Sequence, residues 1–278
     1  MESRRKFVQQ SLAVAGTLAF SSLFVEETMA LTENARKYQE KFYSHMDPTL
    51  ARTDPEFAEI IQNFAMDEVP NQNDLDPKIR HMAILATLLG CQGLDEYKIQ
   101  LPAALKAGLT AVQIKEIVYQ GTAYLGLGRI RPFLAATNEV LTQAGIALPQ
   151  PNQATVTREN RREKGTAAQV EIFGPRMQDF WQSGPTESRH INYWLAANCF
   201  GDYYTRTGLT LKEREIITFC YLSAQGGCEP QLIAHCKGNF NLGNDKALLI
   251  KIISQCLPYI GYPRSLNALR CVNEAAKG

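Results

Sequence analysis

The chain repeats itself. Leu75-Asp-Pro-Lys-Ile-Arg80 returns as Leu209-Thr-Leu-Lys-Glu-Arg214, Gly126-Leu-Gly-Arg129 as Gly261-Tyr-Pro-Arg264, and Asn138-Glu139 as Asn273-Glu274. The offset is 134 residues upstream, where Phe57 to Val69 falls opposite Ile191 to Tyr203, and 135 after the Gly-rich turns, where an insertion costs least. Self-similarity at a fixed spacing means one supersecondary unit used twice, so a single fold has to serve both halves. Gln143 to Gly165, rich in Pro, Asn, Gln and charge, reads as the linker between the copies and the approach to the second.

Within each copy the apolar residues recur at helical spacing. Ile79, Met82, Ala83, Leu85 and Ala86 share a face, and Val112, Ile114, Ile117, Val118 and Leu125 mark another helix after Gly108. In the second copy Ile216, Ile217, Phe219, Cys220 and Leu222 are followed by Leu248, Leu249, Ile252, Ile253 and Cys256. No Val-, Ile- and Thr-rich run bounded by hairpin turns appears, so the expectation is all-α: two tandem helical bundles, residues 31–148 and 149–278.

The first thirty residues read as an address. Ser3-Arg4-Arg5-Lys6-Phe7-Val8 precedes a mildly apolar run from Ser11 to Val25 that ends near Thr28-Met29-Ala30, the pattern of a twin-arginine export signal to the periplasm. The run is shorter than the roughly 20 apolar residues of a spanning helix, so no stable membrane span is expected. With Lys+Arg 29 against Asp+Glu 28 the net charge is +1, which offers no field for a phosphate backbone and argues against nucleic acid as a partner. Seven cysteines with no C-x-x-C pair do not make a disulfide scaffold, and Cys199, Cys220, Cys256 and Cys271 sit in apolar helical stretches as small hydrophobes would.

The stretch with chemistry is Gly226-Gly-Cys-Glu-Pro-Gln-Leu-Ile-Ala-His-Cys-Lys-Gly238. The glycines end one helix and Pro230 suits the first position of the next. Gln231 and His235 are then i,i+4 neighbours, with Cys228 seven residues before the histidine and near the same face. An imidazole there sits close to the positive end of a helix. His45, His81 and His190 show no paired spacing with it, and no metal site is expected.

The block from Leu209 to Asn273, with Arg214-Glu-Ile-Ile-Thr-Phe, the stretch ending at His235, and Tyr259-Ile-Gly-Tyr-Pro-Arg264-Ser-Leu-Asn-Ala-Leu, resembles the carboxymuconolactone decarboxylase family, a branch of the alkylhydroperoxidase D-like superfamily. Phe200-Gly-Asp-Tyr-Tyr-Thr-Arg206 resembles the family's lead-in helix, and the first repeat matches more weakly. The resemblance implies an all-helical fold assembled as trimers or hexamers, so that three tandem chains could close a hexamer-like ring. The peroxidase version of the motif needs two thiols that cycle through a disulfide. Here they would be Cys228 and position 231, which is Gln231, and Cys236 points about 100° away from the histidine. The decarboxylase version places a carboxylate four residues before the histidine, and Gln231 stands there instead. In the first repeat Glu96 holds that carboxylate position, Gln100 replaces the histidine and Gly93 the cysteine. Asp95 reads as an N-cap, and Pro102 as a break in the helix. The first repeat therefore reads as the degenerate copy.

What the resemblance implies is cofactor-free loss of CO₂ from a small lactone carboxylic acid. His235 would be the acid, Gln231 a polar orienting group, Cys228 a further catalytic candidate, and Arg264 the carboxylate anchor, with Tyr262 and Glu96 as further substrate-binding candidates. Arg264 and its equivalent Arg129 fit a shared structural ion pair as well as an anchor. Arg80 and Arg214 read as structural, each pairing with an acidic helix neighbour. A thiol peroxidase at Cys228 and a non-catalytic oligomeric binding protein are the competing readings.

Overall fold

In each half a helix with a π-helical segment leads into a central helix whose start is fixed by a side-chain cap. The computed structural model describes residues 31–43 and 49–277, so residues 1–30, where the sequence leads one to expect an export signal, and His45 lie outside the described residues. The first half comprises α1 (Glu33–Phe42), α2 (Thr49–Thr53), α3 (Pro55–Asn63) running through a π turn into α4 (Val69–Asn71), α5 (Pro77–Cys91), α6 (Leu94–Lys106), α7 (Ala111–Leu125) and α8 (Leu127–Gln143). The second comprises α9 (Arg161–Phe173), α10 (Arg189–Trp194) continuing into a π-helical segment Leu195–Tyr204, α11 (Leu211–Gln225), α12 (Glu229–Asn241) and α13 (Lys246–Ala275). Among the described residues every regular element is helical, as the periodicity predicts.

The repeat is visible element by element. Asp76 caps α5 by accepting from the N–H groups of Lys78 and Ile79, and Thr210 caps the equivalent α11 in a reciprocal box with Glu213. α7 and α8 meet at Gly126 (φ 83°), and α13 is broken at the equivalent Gly261 (φ 72°), a backbone conformation that needs no Cβ. α5 and α11 cross at the centre so closely that a Cβ on Gly90 would lie 2.7 Å from the Cβ of Ala224 and from the carbonyl oxygen of Tyr221. One continuous apolar cluster follows, joining Met82, Leu85, Leu89 and Ile117 to Ile217, Phe219, Tyr221, Leu249 and Ile252.

Charge is buried across this seam. Arg214, on α11 and fully buried, donates to Glu116 on α7 at 3.0 Å and to Gln120 at 2.8 Å, while Arg206 approaches both oxygens of Glu116 at 2.9 and 3.0 Å. Gln120 returns a bond to the carbonyl of Arg214 at 3.0 Å. Arg80 differs from expectation. It donates to the carbonyl of Pro70 at 3.1 Å and lies over the Tyr38 ring, with no carboxylate in salt-bridge range among the described residues. The physical reason is sequence divergence, since Lys251 occupies the position that matches Glu116.

Two local expectations fail. α6 runs straight through Pro102, because burial of Leu101, Ala103 and Ala104 on either side offsets the one missing backbone bond. Its N-cap is Gly93 and not Asp95, which lies in the first turn. The end of the linker is taken up by α9, and the rest is tied to the second half through Thr207 on Gln153 and Thr155 on the Thr205 carbonyl at 2.7 Å. No helix among the described residues is long and apolar enough to cross a membrane.

Candidate active site

His235 lies in the second turn of α12, with its side chain only 10% exposed. Its Nδ1 is 2.8 Å from Oε2 of Glu215, which comes from α11 and is fully buried. A carboxylate has no proton to give, so Nδ1 is the donor and Nε2 is the nitrogen left for chemistry. No described residue offers Nε2 a hydrogen bond. The ring is gripped edge-on by Tyr124 and Phe173, at centroid distances of 5.5 and 5.3 Å.

The same logic orders the hydroxyls behind the carboxylate. Tyr204 OH is 2.8 Å from Oε1 of Glu215, and 2.7 Å from both Tyr124 OH and Thr218 Oγ1. Tyr204 has one proton and must spend it on the carboxylate, so Tyr124 and Thr218 both donate to Tyr204. Thr218 in turn accepts from Gln120 at 2.9 Å. Burial, followed by the charge of Glu215, pushes the Tyr204 hydroxyl well above the ordinary phenol range. Burial does the same for Tyr124, so both stay protonated donors. Asn239 fastens the two helices from below, donating to the carbonyls of Glu215 and His235 at 3.0 and 2.9 Å. Gly238 leaves the space that the carboxylate fills, since a Cβ there would sit 2.8 Å from Oε2.

The resulting constellation draws on both repeats. Tyr124 is from α7, Phe173 from α9, Tyr204 from the π-helical segment, Glu215 and Thr218 from α11, and His235 from α12. The sequence reading missed Glu215, Tyr204 and Tyr124. One signal was present: Arg214 and Glu215 open an eleven-residue stretch of α11 in which every side chain is buried, and two ionisable groups in such a stretch need partners.

The remaining predicted residues are dispersed around this centre. Gln231, one turn before His235, is exposed. Cys228 is half-buried at the N-cap of α12, its Sγ 3.5 Å from the carbonyl of Leu222, and burial holds its thiol above the ordinary range. Cys236 is fully buried and pushed up to about 12. Arg264 donates to the carbonyl of Ala224 at the end of α11, and Arg129 reaches the neighbouring Gln225 side chain at 3.1 Å, so the two equivalent arginines converge on one helix terminus. Tyr262 is 60% exposed. Glu96 faces the first repeat's own polar cluster, accepting from Gln100 at 2.7 Å. The position equivalent to Glu215 is His81, fully buried, so the first repeat carries neither member of the dyad in place. Among the described residues no group of three or more His, Cys, Asp or Glu side chains could hold a metal ion.

Comparison with known proteins agrees with the duplicated architecture. Residues 55–139 and 191–274 each match the model of the Carboxymuconolactone decarboxylase family. The 4-carboxymuconolactone decarboxylase of Acinetobacter baylyi is 29% identical over 98 residues, which is 35% of this chain and 73% of that protein. A crystal structure assigned as a gamma-carboxymuconolactone decarboxylase subunit from Burkholderia xenovorans superposes with a TM-score of 0.51, covering 87% of this chain and 96% of that one. At 20% identity that likeness speaks for the fold alone. One family model matched on each repeat, over more than half of the chain in all, makes this protein a member of the carboxymuconolactone decarboxylase family.

Proposed function

We propose that the chain is a cofactor-free decarboxylase of a small lactone carboxylic acid, with His235 as its proton donor and Glu215 as the group that positions it. The observation that carries the reading is the buried carboxylate on Nδ1 of an imidazole whose Nε2 has no hydrogen-bond partner among the described residues. In such a reaction the bond between the γ-carbon and its carboxyl group breaks and CO₂ leaves. The electron pair flows through the ring double bond into the lactone carbonyl, and a proton is then added to ring carbon. The substrate is its own electron sink, so the protein has to supply only an anchor, a donor toward the developing oxyanion and an acid. His235 takes a second proton from water to become the imidazolium, its Nε2–H passes that proton to the ring carbon, and Glu215 holds the Nδ1–H throughout.

Around that centre Gln231 orients the substrate and Arg264 anchors its carboxylate, using the guanidinium N–H groups not committed to Ala224. Exposure of Tyr262 fits a position completed by a neighbouring subunit. Assembly as a trimer of tandem chains is supported by apolar residues exposed at equivalent places in both repeats, Phe57 and Ile60 on α3 and Ile191 and Trp194 on α10. The Arg4-Arg5 signal supports export to the periplasm.

The competing thiol peroxidase is disfavoured by a Cys228 that burial keeps as a thiol, with Gln231 in place of a second cysteine. The test follows ultraviolet loss of carboxymuconolactone by the mature protein before and after complete alkylation of its accessible thiols. Turnover surviving alkylation supports the proposal. Turnover abolished by alkylation would contradict it, as would a folded protein that consumes peroxide and a thiol but no lactone.

A further inference from the structure

The first repeat, which has lost the histidine, holds a cavity of its own. It encloses about 800 Å³, within the range of sites that bury a small organic molecule. Its wall is apolar, built from Phe42, Leu50, Ile61, Met66, Ile99 and Tyr259 among others. Neither His235, Gln231 nor Glu215 lines it, so it is separate from the site described above.

Its polar groups are few, and most are already paired. Gln62, only 6% exposed, lines the cavity with an Oε1 that has no hydrogen-bond partner among the described residues. Gln100 is used on both sides, accepting from Tyr43 OH at 2.8 Å and donating to Oε1 of Glu96 at 2.7 Å. Glu96 is left with its second oxygen. Tyr259, which reaches this cavity from the second repeat as its equivalent Tyr124 reaches His235 from the first, supports Tyr43 through its hydroxyl. What the wall still offers is therefore hydrogen-bond acceptors: the Gln62 amide oxygen, and the carboxylate of Glu96. An apolar occupant would leave the buried amide oxygen unsatisfied, and an anionic one would meet the Glu96 charge. Lys98 also lines the cavity but is exposed and paired with Glu139 at 3.6 Å, so it offers an anion little.

We propose that the first repeat is a second, non-catalytic binding site, which takes a neutral and mostly apolar molecule that carries a hydroxyl group to donate to Gln62 or Glu96. Loss of the catalytic pair from this copy then exchanges chemistry for recognition of a different ligand class.

The test is a fluorescence titration of the mature protein with three probes of one shape: 2-naphthol, its methyl ether and 2-naphthoate. 2-Naphthol is expected to bind at one site per chain, about tenfold tighter than the ether, which lacks the donor, with no saturable binding of the carboxylate. Gln62→Leu should narrow the naphthol-to-ether preference to under about threefold. Ala65→Trp, which fills the cavity, should abolish binding in a protein of unchanged helicity, and His235→Ala should leave naphthol binding intact. Equal binding of naphthol and its ether by the native chain would overturn the proposal, as would preference for the carboxylate, binding that survives in Ala65→Trp, or no binding of any probe. Binding lost in His235→Ala would move the ligand to the other site and overturn it too. Should Ala65→Trp fail to fold, the probe series and Gln62→Leu decide the matter alone.

Discussion

Replacing Glu215 separates two jobs that its carboxylate does at once, holding the imidazole and supporting the fold. Glu215→Leu keeps similar volume but leaves the Nδ1–H of His235 buried with no acceptor, and takes from Tyr204 the only partner to which it donates. The charge-assisted bond at 2.8 Å and the stranded donor are each worth about 1.5–3 kcal/mol. Relief from burying a carboxylate opposes them, so the net loss should be about 3 kcal/mol. Glu215→Gln can still turn its amide oxygen to Nδ1–H and its NH₂ to the Tyr204 oxygen, provided the Tyr204 hydroxyl turns its proton to Thr218, and should lose only about 1 kcal/mol. Urea unfolding of the three proteins side by side reads this difference. Nitrogen-15 spectra of the histidine rings read the other job, with Nδ1 protonated in the native protein and the Nε2–H tautomer gaining in Glu215→Leu. Stability of Glu215→Leu within about 0.5 kcal/mol of native, or an unprotonated Nδ1 in the native protein, would refute the reasoning.

Three further outcomes follow from the same network of contacts. Arg214→Met should cost about 3–5 kcal/mol in urea unfolding, because it strips Glu116 and Gln120 of a fully buried cation; a loss below about 1 kcal/mol would mean that the clamp between the repeats is not structural. Burial, and secondarily the charge of Arg80, lower His81 to about 4, so the folded protein keeps it neutral while the unfolded chain protonates near 6.5. Stability from this residue is therefore complete above about pH 6.5 and falls as pH drops toward 4, by about 3 kcal/mol, and His81→Gln should flatten that part of the pH profile. Alkylation of Cys228 by iodoacetamide at pH 7 should be slower than that of a small free thiol, since burial holds it protonated; faster reaction would revive the peroxidase reading.

The fold was legible because its signals are local. Helical spacing and the paired glycines at Gly126 and Gly261 recur at an offset that changes by only one residue along the chain, and each copy vouches for the other. His235 was legible for the same reason, standing in a short motif within one helix. Its carboxylate was not, because looking four residues upstream asks only what lies on the same helix, and finds the exposed Gln231. The actual partner, Glu215, is twenty residues away on α11 and reaches the ring across a helix crossing. Tyr124 and Tyr204 come from still more distant segments, and no periodicity within one element can bring them together. Pro102 shows the converse: a strong local rule was overruled by packing that only the folded chain provides. The first repeat was read as degenerate from Gln100 and Gly93, yet its cavity is assembled from α1, α3, α6 and α13, which the motif comparison did not join.

The most direct test of the central claim is the rate of carboxymuconolactone loss, followed in the ultraviolet, for the purified protein beside its His235→Ala variant. If the imidazole held by Glu215 is the proton donor, the native protein turns the lactone over and the variant loses at least about a hundredfold in rate while keeping its helicity. Equal rates in the two proteins, or no turnover by a folded native chain, would contradict the assignment of this chemistry to His235.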